Sequence, residues 1–189
     1  GITDIAIYQN SDIYIVSPYE NKVFKILSKS KVELIAGADK NKGLKGNNIP
    51  AKEAKLFKPV SIDFDNKGNL YIAEKEKGYL RIINSNGVLN RLAGGGSEIN
   101  LDGLTSTNNA DLKNVTKIRI GNGPKIYLSQ MVDNSIICIT PIENYNYTEE
   151  EANAWCLSTP DANFGCADSC NTATNTASVQ IVHNSASPT

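Results

Sequence analysis

The chain has 189 residues, of which 40% are hydrophobic and 21% charged, with a net charge of −1, one His and four Cys. That length holds one domain with a sizeable core and is short for two. The charge excludes a nucleic-acid binder held chiefly by phosphate contacts, no apolar run is long enough for a membrane helix, and a single His leaves no material for a multi-His metal centre. No basic and then apolar leader opens the chain, although one removed before Gly1 would leave no trace. All 19 basic residues and 14 of the 20 acids precede Pro141, giving about +5, whereas residues 141–189 carry six acids and no base. This shift predicts a boundary near Pro141, with repeats over 1–141 and an acidic, cysteine-bearing tail over 142–189.

Three segments of the first part share one pattern. Each opens on a short strand with alternating β-branched residues, at Ile5–Tyr8, Ile62–Asp65 and Ile118–Gly121. An Asn- and Gly-rich turn follows, then a strand centred on Tyr14, Tyr71 or Tyr127, then a second turn and a third strand ending at Ile26, Ile82 or Ile139. The tyrosines are 57 and 56 residues apart, and the isoleucines 56 and 57. A fourth strand, Val32–Ile35 or Val88–Leu92, closes the first two units, which end at Ala36-Gly37 and Ala93-Gly94. The linkers Gly43–Leu56 and Asp102–Leu112 both finish in Ala-x-Leu, small residues suited to close backbone packing. Four strands at a fixed period of about 57 residues predict an all-β protein of consecutive propeller blades.

The strand Gly68-Asn69-Leu70-Tyr71-Ile72-Ala73-Glu74, then Leu80-Arg81-Ile82, then Ala93-Gly94, with a Gly-x-x-x-x-Ala-x-x-Ala-x-Leu linker from Gly46 to Leu56, resembles the NHL repeat family. Asn21-Lys22-Val23 and Asn134-Ser135-Ile136 match the Asn-x-aliphatic element that names it. The resemblance covers Ile2 to Pro141. It departs in the acidic position after the Tyr strand, read as Ser17, Glu74 and Ser129, and in the third unit, which lacks an Ala-Gly ending. What the resemblance implies is a β-propeller. Some related propeller enzymes hold a metal in the central channel with His or acidic ligands, and some NHL domains bind RNA through a basic face. Here the lysines scatter over turns and linkers.

Three blades do not close a ring. An open stack exposes sheet faces and edges, so the chain is expected to be a piece of a longer protein, to associate with partners, or to fold its tail over the last blade. A first strand already under way near Gly1 favours a fragment or a processed product.

In the tail, Thr148–Leu157 reads as a short helix, with Thr148 as N-cap, Glu151 at the capping-box position and Thr159-Pro160 as its stop. Glu149, Glu150 and Glu151 suit a solvated first turn better than a cation site. Cys138, Cys156, Cys166 and Cys170 lack the paired C-x2-C knuckles of a zinc site, so two disulfides are expected. Four cysteines allow three pairings, and a bond from Cys138 into the tail is favoured because it staples the tail to the last blade. Asn114-Val115-Thr116 and Asn146-Tyr147-Thr148 are N-glycosylation acceptors. With the cysteines they point to an oxidising, extracellular or cell-surface setting. The Thr- and Asn-rich run 171–178 is a loop or an O-glycosylated stretch, and Val179–His183 one more strand, completing a blade or pairing with a neighbour's edge.

Nothing in the sequence assembles a catalytic centre. His183 has no oriented nucleophile, Gly94-Gly95-Gly96 ends a blade without a following Lys-Ser/Thr, Asp63, Asp65 and Asn66 do not form a twelve-residue calcium loop, and Asp102-Gly103 reads as a turn. The leading expectation is a non-catalytic extracellular module, without cofactor or metal. It would bind a protein, a glycan or its own copies, with no nucleic acid and no membrane span. The alternative is a fragment of a propeller lyase or hydrolase whose metal ligands lie outside the chain.

Overall fold

A computed structural model describes residues 1–9, 11–39, 43, 45–97, 107–121, 125–131, 135–140 and 178–183. The chain forms three consecutive antiparallel sheets. Blade 1 is β1 (Asp4–Tyr8), β2 (Asp12–Ser17), β3 (Lys22–Ser28) and β4 (Lys31–Ala36). Blade 2 is β6 (Pro59–Phe64), β7 (Leu70–Glu74), β8 (Tyr79–Ile83) and β9 (Val88–Gly94), with the two-residue β5 (Ile49–Pro50) added outside β9. Blade 3 is β10 (Val115–Ile120), β11 (Ile126–Gln130), β12 (Ser135–Thr140) and β13 (Ser178–His183). The C-terminal strand thus supplies the missing fourth strand, running antiparallel to β12 with Ser135 opposite His183 and Thr140 opposite Ser178. It completes a blade of its own chain rather than a neighbour's. The expected tail helix Thr148–Leu157 lies outside the described residues.

The ladders set the repeat. Tyr14 lies opposite Ala6 and Lys25, Tyr71 opposite Asp63 and Ile82, and Tyr127 opposite Arg119 and Cys138, so the tyrosines are equivalent. The isoleucine equivalence needs one correction. Ile26 pairs with Ile13 and Ile139 with Ile126, but in blade 2 the residue opposite Leu70 is Ile83, while Ile82 faces Tyr71. The matched set is Ile26, Ile83 and Ile139, spaced 57 and 56 like the tyrosines. A slip of one residue moves a strand side chain to the opposite face, and the neighbouring pair Ile82-Ile83 conceals the slip in the sequence. The position after the Tyr strand shifts likewise: Glu74 pairs with Pro59 and Gln130 with Val115, so its counterpart in blade 3 is Gln130, not Ser129.

At each of the two junctions the back of one blade packs on the front of the next. The back of blade 1, with Ala6, Val16, Val23 and Ala36, packs on the front of blade 2, with Ile62, Leu70, Ile72, Ile83 and Leu89. The back of blade 2, with Tyr71, Ala73, Leu80 and Ala93, packs on Ile118, Ile126, Leu128, Ile137 and Ile139 of blade 3. The small linker residues fill the junctions: Ala51, Ala54 and Leu56 are buried in the first, Ala110 and Leu112 in the second. Ala51 O accepts from Gly37 N at 3.0 Å, Ala54 O from Ala38 N at 2.8 Å, and Ala110 O from Gly96 N at 3.1 Å.

The Ala-Gly endings follow from this packing. Gly94 has φ +82°, and a Cβ there would lie 1.9 Å from the carbonyl oxygen of Gly78; Gly37 has φ +101°, and its Cβ would lie 2.2 Å from that of Asn21. Only glycine takes such φ values freely, and in both cases the obstacle is backbone. Gly94→Ala should therefore lower the unfolding free energy by about 2 kcal/mol or more, read by urea denaturation. Gly87→Ala, with φ +75° and open space around it, should cost clearly less.

Candidate functional site

The first strands β1, β6 and β10 lie side by side, and their polar residues form a seam through all three blades. Alternation puts Asp4, Ser61 and Lys117 at equivalent places on these strands. A β-bulge precedes the last two, between Pro59 and Ser61 and between Val115 and Lys117, and bulges re-aim side chains. The Asp4 carboxylate is the hub. Its Oδ2 accepts the Ser61 hydroxyl and, at 3.1 Å, the Ile62 N–H; its Oδ1 accepts the Lys117 ammonium and, at 2.9 Å, the Ile5 N–H. The Arg119 guanidinium stands 3.9 Å from Oδ2. The Ser61 oxygen in turn accepts the Ile118 N–H at 3.0 Å, and Asp63 Oδ2 accepts the Ile120 N–H at 2.9 Å. Burial pushes the Asp4 carboxyl up, but the bonds from Lys117, Ser61, Ile62 and Ile5 outweigh it and hold the group below its ordinary value. An ionised carboxylate that already takes four hydrogen bonds is a fastener between blades, not a general acid.

A second polar site lies under the linker into blade 2. Glu74 ends β7 fully buried, its Oε2 accepting the Phe57 N–H at 3.2 Å. Its Oε1 has no hydrogen-bond partner and lies 3.7 Å from Nη1 of the buried Arg81. Burial pushes the Glu74 carboxyl up to about 7, against the opposing pull of Arg81 and the Phe57 N–H. Arg81 spends its other donors on Gly46 O at 2.6 Å and Asn90 O at 3.3 Å, which ties the linker to blade 2. Gln130, the blade 3 counterpart of Glu74, reaches back in the same way to Asp111 O at 3.4 Å. The position after the Tyr strand thus anchors the linker that enters its blade.

Of the residues singled out in the sequence, Asn114 is exposed in the turn leading into β10, with its sequon partner Thr116 on that strand bonded to Ser129. Cys138 is buried in β12, opposite Gln180 of β13. Cys156, Cys166, Cys170 and Asn146 lie outside the described residues, so the disulfides and the second sequon stay expectations. Asp65 organises the blade 2 turn, its Oδ1 accepting the Lys67 and Asn69 N–H groups at 2.9 and 2.8 Å. Among the described residues no cluster of His, Cys, Asp and Glu side chains could hold a metal ion, and no helix is long and apolar enough to cross a membrane.

Among the described residues, the front of blade 1 is an exposed apolar face. Ile5, Ile7, Ile13 and Val32 are 55%, 69%, 38% and 51% exposed, whereas their blade 2 counterparts Ile62, Leu70 and Leu89 are 0%, 3% and 0%. The fourth counterpart, Phe64, stacks on Tyr8 at 4.6 Å and meets Tyr14 at 4.7 Å.

No family model and no curated protein matches the chain. Among solved structures it is similar to a Bacteroides thetaiotaomicron protein of unknown function, at 20% identity and a TM-score of 0.57 over 70% of this chain and 33% of that one. It is also similar to a virginiamycin B lyase from Staphylococcus aureus, at 14% identity and 0.49 over 74% and 38%. A third is an auxiliary nutrient binding protein from Bacteroides thetaiotaomicron, at 14% and 0.48 over 66% and 33%. At these identities the likeness is one of fold, and the consecutive four-stranded sheets are of the β-propeller type. The chain spans about a third of the length of the structures it resembles.

Two buried carboxylates, Asp4 and Glu74, predict opposite pH limbs. Asp4, with a lowered value, adds stability that is present above the unfolded carboxyl range and is lost as pH falls below it. Glu74, raised from 4.5 to about 7, favours the protonated folded state, so its contribution is full below 4.5 and is lost as pH rises through 7. Unfolding free energy measured across pH 3 to 9 should rise and then decline, and Glu74→Gln should remove the decline between about 5 and 7 while leaving the acid limb.

Proposed function

We propose that this chain is an extracellular, non-catalytic binding or assembly module built on NHL-like blades, with a protein, a glycan or its own copies as partner. The observation that carries the reading is the state of the polar seam. Asp4, Ser61 and Asp63 spend their oxygens on neighbouring strands, which supports a scaffold role rather than proton transfer. The exposed Asn114 sequon supports glycosylation and hence a secretory route. Cys138 is offered a bond to one of Cys156, Cys166 or Cys170 because cysteines of extracellular proteins are commonly paired.

Intact mass of the native protein, with and without glycosidase and reductant, tests this reading. Two N-glycans, at Asn114 and Asn146, and four oxidised cysteines are expected, with Asn114→Gln removing one glycan. Bare asparagines together with four reactive thiols would overturn the extracellular setting, and a stoichiometric divalent ion at a channel ligand set would favour the lyase or hydrolase reading.

A further inference from the structure

We infer that the front of blade 1 is the seat of a fourth blade of the same repeat, carried upstream on the same polypeptide. The ladders make the face of blade 1 that bears Ile5, Ile13 and Ile26 the counterpart, 57 residues earlier, of the face of blade 2 that bears Ile62, Leu70 and Ile83. In blade 2 that face is sealed by Ala6, Val16, Val23 and Ala36 on the back of blade 1. In blade 1 the same face is apolar from β1 to β4, with Ile5, Ile7, Ile13 and Val32 exposed, Phe24 and Ile26 half-buried and Ile15 alone buried among them. Ser17, Phe24 and Leu34 take the places of Glu74, Arg81 and Arg91, so the charges on this surface of blade 2 have no counterpart.

A contiguous apolar surface of this kind marks a covered interface in a soluble protein. The repeat states what covers it: the back of a four-stranded sheet lined by small apolar residues. The third blade of a second copy is a poor match, because its back carries Lys117 and Arg119 at the places of Asp4 and Ala6. The solved structure of like fold with a TM-score of 0.57, of which this chain matches 33%, has room for further blades.

The repeat also fixes sequence that must precede Gly1. Each junction is filled by a linker whose Ala and Leu stand eight and six residues before the first-strand Ile: Ala54 and Leu56 before Ile62, and Ala110 and Leu112 before Ile118. Counting back from Ile5, the upstream sequence should read Ala-x-Leu with the Leu two residues ahead of Gly1. A four-stranded unit of about 57 residues should lie before it.

This inference deepens the assembly side of the proposed function and is independent of its extracellular side. Its test begins with the coding sequence upstream of Gly1 and continues with the native polypeptide extended by that unit. The extended protein should bind several-fold less of an apolar-surface dye such as ANS than the 189-residue chain, and Ile13→Lys should restore dye binding to the extended protein. Three outcomes would overturn the inference: upstream sequence without a blade-length unit and its Ala-x-Leu, an extension that leaves dye binding unchanged, or a 189-residue chain that hides the face as a discrete dimer. Glycans and disulfides found intact alongside any of these would leave the extracellular reading standing.

Discussion

Front-to-back packing of successive sheets is the constraint on which the rest of this structure depends. A four-stranded antiparallel sheet has two faces and cannot bury both alone. Here the apolar front of one blade meets the back of the blade before it, at the blade 1–blade 2 and blade 2–blade 3 junctions. The 57- and 56-residue spacing is the sequence expression of that contact. It places Phe64 on Tyr8 and Tyr14, and Leu80 and Ala93 against Ile126 and Leu128. The linkers obey the same constraint: they pass between sheets already in contact, where Ala51, Ala54 and Ala110 fit closely and Leu56 and Leu112 fill what space remains. Glycines end β4 and β9 because the backbone of the β2–β3 and β7–β8 turns, at Asn21 and Gly78, lies against them.

Much of this was legible in the chain. Alternation identified the first strands, Tyr spacing identified the repeat, and Ala-Gly marked the blade ends. The final strand was visible in the alternation of Val179–His183, but its partner was not, since its placement beside β12 depends on a contact some forty residues away in sequence. From the sequence, Ile82 and Ile83 stand side by side as matches to Ile26, and the ladder decides which faces the front. Gln130 as the counterpart of Glu74 is legible in the sequence, since both stand three residues after the repeat tyrosine; Ser129 is one residue short of that column.

The polar seam was the part sequence reasoning missed. Asp4 precedes the first alternating Ile and reads as a loop acid, and neither Ser61 nor Lys117 stands out in its strand. A signal was present in the repeat itself, since aligning Ile5, Ile62 and Ile118 places Asp4, Ser61 and Lys117 in one column of polar residues. Their geometry requires three strands brought together by tertiary packing, and periodicity says nothing of that. Glu74 was noted as a family-like acid, but its burial beside Arg81 follows from the linker closing over it.

The central claim, that one position is core in one blade and surface in the next because of what lies in front of it, is tested most directly by matched truncations. Ile62→Ala and Ile5→Ala alter equivalent residues of β6 and β1, buried and 55% exposed respectively. In the 189-residue chain, the unfolding free energy should fall by about 2–5 kcal/mol for Ile62→Ala and by less than about 1 kcal/mol for Ile5→Ala. Equal losses at the two positions would contradict the stacked-blade account.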